Sequence, residues 1–163
     1  MILSDKSIKD LILTHNLNII APFNLIDLQP NSYDMHLDDK LMTINGKTID
    51  ISEQSYKIKP KEFILGSTLE KVNIPLDLVG HVDGKSSIGR LGVFIHVSSG
   101  FIDSGFRGNI TLEIFNASDK EFELVYGMPL CQLILETLTT PVESPYDGHY
   151  QDSEGVVESR YDY

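Results

Sequence analysis

From about residue 33 to residue 136 the chain is a run of short apolar segments, each closed by turn-forming residues within roughly 8–12 positions. That spacing is the pattern of a β-sandwich or a closed β-barrel, whose strands are short and joined by tight turns. The segments are 33–37, 41–44, 48–51, 63–69, 78–82, 91–97, 109–116, 121–125 and 129–136. Asn45-Gly46 falls between two of them and is a strong hairpin signal. Ahead of the strands, one helix is predicted over 4–15. Ser4 is its N-cap, Ile8, Leu11 and Ile12 share a stripe, and Asn16 and Asn18 are stop positions. At 163 residues, with no internal repeat, the chain reads as a single domain over 1–163, mainly β with a short N-terminal helix.

After Pro141 the texture changes. Residues 141–163 hold two prolines, two glycines and four tyrosines, with six acids against the single base Arg160. This composition fits a mobile C-terminal lid, and it equally fits a frayed terminus.

Charge narrows the partners. Acids outnumber bases 24 to 13, a net charge of −11, which argues against nucleic-acid binding. Apolar runs such as Val93-Phe94-Ile95 fall far short of the roughly 20 residues of a membrane span, and Met1 to Lys6 lacks the layout of a secretory signal. The one cysteine, Cys131, can form neither an intramolecular disulfide nor a cysteine-rich zinc site. A soluble, cytoplasmic protein is expected.

The chemistry concentrates in 83–116. Glycines at 84, 89, 92, 100, 105 and 108 alternate with Lys85, Ser86, Ser87, Arg90 and Arg107. Glycine lets backbone approach a ligand closely, so the segment can form an anion-binding surface or merely a polar set of turns. It is not a phosphate-binding P-loop: the first glycine would have to be residue 79, which is Val79, and Ile88 to Val97 is β-branched and glycine-broken. In 110–114 the period is two, so Ile110, Leu112 and Ile114 share one face while Thr111, Glu113 and Phe115 share the other. Asp103 precedes Glu113 by ten residues, across a Gly105-Phe106-Arg107-Gly108 hairpin that can bring both carboxylates to one cleft. A glutamate desolvated there can serve as a general acid–base group. The five histidines show neither the zinc-deaminase signature nor His-Glu-x-x-His, and His96 reads as structural.

Taken together, these residues resemble the dCTP deaminases and their bifunctional dCTP deaminase–dUTPase relatives. The resemblance spans nearly the whole chain. It runs through Gln29-Pro30-Asn31-Ser32-Tyr33-Asp34, Lys85-Ser86-Ser87-Ile88-Gly89-Arg90-Leu91-Gly92, Gly100 to Phe106 and Thr111-Leu112-Glu113, and ends in Pro145-Tyr146 and Ser159-Arg160. It implies a distorted β-barrel or jelly roll of the dUTPase-like type, assembled as a homotrimer with active sites between subunits. The implied reaction is zinc-independent hydrolytic deamination of dCTP to dUTP, with Mg²⁺ arriving on the triphosphate and dTTP a candidate inhibitor.

By the same resemblance Glu113 is the general base, and Ser86 and Arg90 help place water, base and phosphates. Lys85 and Ser87 belong to the same anion-binding stretch. The backbone of Val97, Ser98 and Ser99 reads the pyrimidine edge. Asp103 and Phe106 lie near the sugar, and Tyr146 closes over the ligand. Several positions depart from the family pattern. Lys85 stands where arginine is usual, which weakens bidentate phosphate contact. His149 and Ser153 stand where lysine and glutamine commonly touch phosphates, and Ser99 replaces an alanine. Three readings emerge: a dCTP deaminase, a bifunctional enzyme that continues to dUMP and pyrophosphate, and a non-catalytic nucleotide-binding barrel.

Overall fold

A computed structural model describes residues 1–98 and 100–161. Ser4 caps α1 (Asp5–Lys9) by accepting from Ser7 N–H, and the helix widens into a π turn over Asp10–Thr14. There His15 N–H bonds Asp10 C=O, so the predicted helix is present but ends in a looser turn.

The described residues then form thirteen strands: β1 (Ile20–Ala21), β2 (Leu28–Gln29), β3 (Ser32–His36), β4 (Lys40–Thr43), β5 (Thr48–Asp50), β6 (Tyr56–Ile58), β7 (Phe63–Asn73), β8 (Leu78–Gly84), β9 (Val93–Phe94), β10 (Phe101–Ile102), β11 (Arg107–Asn116), β12 (Phe122–Leu124) and β13 (Pro129–Thr137). One sheet runs β5-β4-β7-β11-β9, with β1 added on β7; a second runs β10-β8-β13-β3-β2; β12 and β6 form a separate pair. Leu41, Ile64, Leu112 and Ile114 of the first sheet and Tyr33, Met35, Leu133 and Leu135 of the second join one buried core. The mainly β fold follows the spacing of apolar segments, and the short N-terminal helix follows its cap and apolar stripe. Two packed sheets agree with the jelly roll that the family resemblance implied.

Two local expectations need correcting. The segment 91–97 is strand only at β9. Ahead of it α2 (Ser86–Gly89) forms one helical turn, closed by Gly89 N–H and Ile88 N–H on Lys85 C=O, and Gly92 at φ +79 re-aims the chain. Second, Gly105 to Gly108 is not the tip of a hairpin. β10 pairs with β8 and β11 pairs with β7, so the turn carries the chain from one sheet to the other.

Two close backbone approaches fix the start of β10 and the course of the C-terminal tail. A Cβ on Gly100 would sit 2.0 Å from Val82 C=O, which leaves room only for glycine where β10 begins. Gly108, at φ +136, lies against Ser153, with which it forms a parallel bridge. The tail expected as a lid is docked along β11 from Asp152 to Val157. Asp152 N–H bonds Arg107 C=O, Asn109 N–H bonds Ser153 C=O, Gly155 N–H bonds Asn109 Oδ1, and Val157 N–H bonds Thr111 Oγ1. No helix among the described residues is long and apolar enough to cross a membrane.

Candidate functional site

Burial along β11 alternates: Ile110, Leu112 and Ile114 are buried, while Thr111, Glu113 and Phe115 are half-buried on the other face. Strand period therefore turns Glu113 away from the core. It faces a cavity of about 540 Å³ closed by Phe63 and Leu65 of β7, by the 100–106 segment and by the tail. Ser98 grips its carboxylate twice, N–H to Oε2 at 2.9 Å and O–H to Oε1 at 3.0 Å. Each oxygen keeps a further lone pair, so the group can still accept from a water.

Asp103 lines the same cavity and is exposed at the turn whose C=O receives Phe106 N–H. Phe106 is buried beneath it and meets Tyr146 edge-on, ring centroids 5.7 Å apart. Tyr146 N–H bonds Ser104 C=O, and Gln151 Nε2 donates to both Gly105 C=O and Tyr146 C=O. The aromatic wall of the cavity is thus pinned by the tail. Ser153 also lines the cavity, yet it is buried and its hydroxyl donates to Tyr150 C=O at 2.6 Å, so that side chain is spent on the turn.

The remaining expected residues lie elsewhere. Lys85, Ser86 and Ser87 line a second cavity of about 480 Å³, with Asp34, Gln29 and Gln132, and it shares no lining residue with the first. Arg90 caps the end of α2, exposed, and lines neither cavity; the same holds for Val97 and for His149, whose C=O accepts from Arg160. Ser99 lies outside the described residues, as does the tail beyond Tyr161. Two of the cations expected to serve phosphates, Lys85 and Arg107, are paired within the chain. Lys85 binds Asp34, and Arg107 holds Asp152 through two bonds at 2.9 and 3.0 Å, which keeps that carboxyl below its usual range.

Some lining residues carried no sequence signal. Tyr150, Val157 and Glu158 reach the cavity only because the tail returns along β11. Thr111 was legible, since the strand period places it on the face of Glu113. Cys131 is fully buried, and burial pushes its thiol up, away from any nucleophilic role. Among the described residues, no group of three or more His, Cys, Asp or Glu side chains is placed to hold a metal ion.

The dCTP deaminase-like family model matches residues 2–138. The dUMP-forming dCTP deaminase of Aquifex aeolicus is 40% identical over 172 residues, covering 98% of this chain and 94% of that protein. The chain belongs to the dCTP deaminase-like family. The corresponding protein of Methanobrevibacter smithii is 41% identical over 167 residues, covering 91% of this chain and 86% of its own. Among solved structures, the deoxycytidine triphosphate deaminase of Agrobacterium tumefaciens superposes with a TM-score of 0.71 at 21% identity, which supports the fold. It covers 84% of this dCTP deaminase-like chain, which in turn spans about half (48%) of that one. A dUTPase of Staphylococcus aureus phage phi11, described with a structural Mg(II) ion, gives 0.50 at 19% identity over 72% of this chain and 83% of its own.

Proposed function

We propose that this protein deaminates dCTP hydrolytically and carries the product on to dUMP. The overall conversion is dCTP plus two waters to dUMP, pyrophosphate and ammonia. The observation that carries the reading is the Glu113 carboxylate, fixed at both oxygens by Ser98 and sharing a cavity with Asp103 and Phe106. Glu113 takes a proton from water as that water attacks the amino-bearing ring carbon. It passes that proton to the ring nitrogen. It then takes the second proton from the hydroxyl of the adduct as the carbonyl forms and delivers it to the amino group, which leaves as ammonia. Holding the carboxylate in place before substrate arrives removes its reorientation from the barrier.

Ser98, which lines the cavity beside Glu113, borders the pyrimidine, and Phe106 with Tyr146 forms the wall against the deoxyribose. Asp103 assists the second water in attacking the triphosphate, which expels pyrophosphate. The dUMP-forming names of relatives at 36–41% identity support that second step. Mg²⁺ would arrive on the triphosphate, and the exposed Asp103 would supply a further oxygen beside it. The separation of Lys85, Ser86 and Ser87 from the Glu113 cavity supports a site completed by a second copy of the chain, as in a homotrimer.

The test supplies purified protein with Mg²⁺ and either dCTP or dUTP, and measures ammonia and pyrophosphate separately. Both products from dCTP are expected. Ammonia alone would restrict the enzyme to deamination, and neither product would overturn the reading in favour of a binding protein.

A further inference from the structure

Strand order brings three polar side chains together on the sheet β8-β13-β3. Gln132 on β13 stands opposite Asp34 on β3, and Lys85 comes directly after β8, with its N–H bonded to Leu130 C=O. The Asp34 side chain is only 10% exposed. Its Oδ2 accepts from Lys85 Nζ and from Gln29 Nε2, while Oδ1 has no hydrogen-bond partner among the described residues and is shielded from solvent. A buried carboxylate with one bare oxygen depends heavily on the cation that remains, because stripping that cation leaves an uncompensated charge. Lys85 cannot swing away to meet a ligand without that penalty. It has three donors, however, and the Asp34 contact uses one of them.

We propose that Asp34 is a positioning residue, holding the Lys85 ammonium at the wall of the second cavity beside Ser86 and Ser87 so that its free N–H groups meet a nucleotide phosphate. Lysine normally searches many rotamers, and this anchor removes that entropy before binding. The inference rests on the reading of the Lys85 segment as the phosphate side of a site completed by a second subunit. It adds that phosphate capture is preset by a carboxylate, a group that would otherwise repel the triphosphate.

The experiment measures steady-state ammonia release from dCTP with Asp34→Asn, Lys85→Gln and the double variant, each checked for native assembly by light scattering. Asp34→Asn should raise KM for dCTP about tenfold, the loss of one charge-assisted hydrogen bond, with kcat within about twofold. Because Asp34 works through Lys85, the double variant should match Lys85→Gln alone and not multiply the two effects. An Asp34→Asn enzyme with unchanged or lowered KM, or multiplicative effects, overturns the proposal. If Asp34→Asn fails to assemble, the comparison passes to Asp34→Glu, which keeps the carboxylate but displaces its oxygens and should raise KM about threefold with kcat within about twofold. An Asp34→Glu enzyme with unchanged KM overturns it. A wild-type protein that releases no ammonia would instead sink the underlying functional reading.

Discussion

Removing the Ser98 hydroxyl isolates half of the grip on Glu113. Ser98→Ala keeps the backbone N–H bond at 2.9 Å and deletes the hydroxyl bond at 3.0 Å. A hydrogen bond to a charged acceptor contributes about 1.5–3 kcal/mol where water is excluded. Ser98 is exposed and Glu113 half-buried, so water replaces part of that contact, and about 1 kcal/mol remains. Expressed in the transition state, this lowers kcat about fivefold. The KM for dCTP should stay within about twofold, because the lost contact orients the base and does not touch the triphosphate. Ser98→Thr restores the hydroxyl and should recover most of the rate. The assay is initial-rate ammonia release across dCTP concentrations at fixed Mg²⁺. An alanine variant with unaltered kcat, or a threonine variant as slow as alanine, refutes a role for this hydroxyl in holding the base.

Other consequences are open to measurement. Glu113→Gln should abolish ammonia release while light scattering reports the wild-type assembly; a turning-over variant refutes Glu113 as the base. Glu70 is 2% exposed and accepts from both the backbone N–H and Nδ1 of His36, at 2.9 and 2.6 Å. Glu70→Ala strands both groups and should cost about 3–5 kcal/mol, a fall in melting temperature of about 10 °C. A shift under about 2 °C would remove that pairing from the account of stability. The tail offers a pH test. Arg107 holds the Asp152 carboxyl, and Lys71 that of Glu154, below their ordinary values of 3.8 and 4.5. Depressed carboxylates contribute fully above those ordinary values and lose their contribution as pH falls through the lowered ones. Protection of the tail from an acid-active protease should therefore hold at pH 5 and decline below about pH 4. Protection unchanged down to pH 2 would show that these pairs do not hold the tail.

Legibility in the sequence followed the range of the interaction. The face of Glu113 was readable because β11, past an irregularity at Asn109 to Thr111, keeps a two-residue period from Ile110 onward with one face buried. Helix α1 was readable because Ser4 and the stripe of Ile8 and Leu11 are local signals. The segment 91–97 misled because its β-branched residues favour strand, while Gly89 and Gly92 allow the helical turn and reversal that the structure adopts. Gly105-Phe106-Arg107-Gly108 announced a turn correctly, but turn chemistry cannot say whether the strands it joins lie in one sheet or two. The docking of the tail was illegible for a related reason. It rests on Asn109 Oδ1 and Thr111 Oγ1 receiving backbone N–H groups from 46 residues away. The split between Lys85-Ser86-Ser87 and Glu113 depends on strand order alone, and no local pattern encodes that.

That split also yields the most discriminating prediction for the assembly. Ser86 and Glu113 line different cavities of one chain. If a working site takes Glu113 from one copy and Ser86 from its neighbour, two dead proteins can repair each other. A Glu113→Gln subunit still offers Ser86, and a Ser86→Ala subunit still offers Glu113. In a closed ring mixed at random from equal amounts, a site is intact when the first position holds the Ser86→Ala chain and its neighbour the Glu113→Gln chain. That combination occupies about one site in four. Co-expressed subunits should therefore regain about a quarter of wild-type ammonia release, against almost none for either parent. A site built within one chain gives a different count: every copy then carries one lesion, and no mixing restores activity. A mixture as inactive as its parents, with mixed oligomers verified by mass, would mean that a single chain supplies both Ser86 and Glu113 to each reaction.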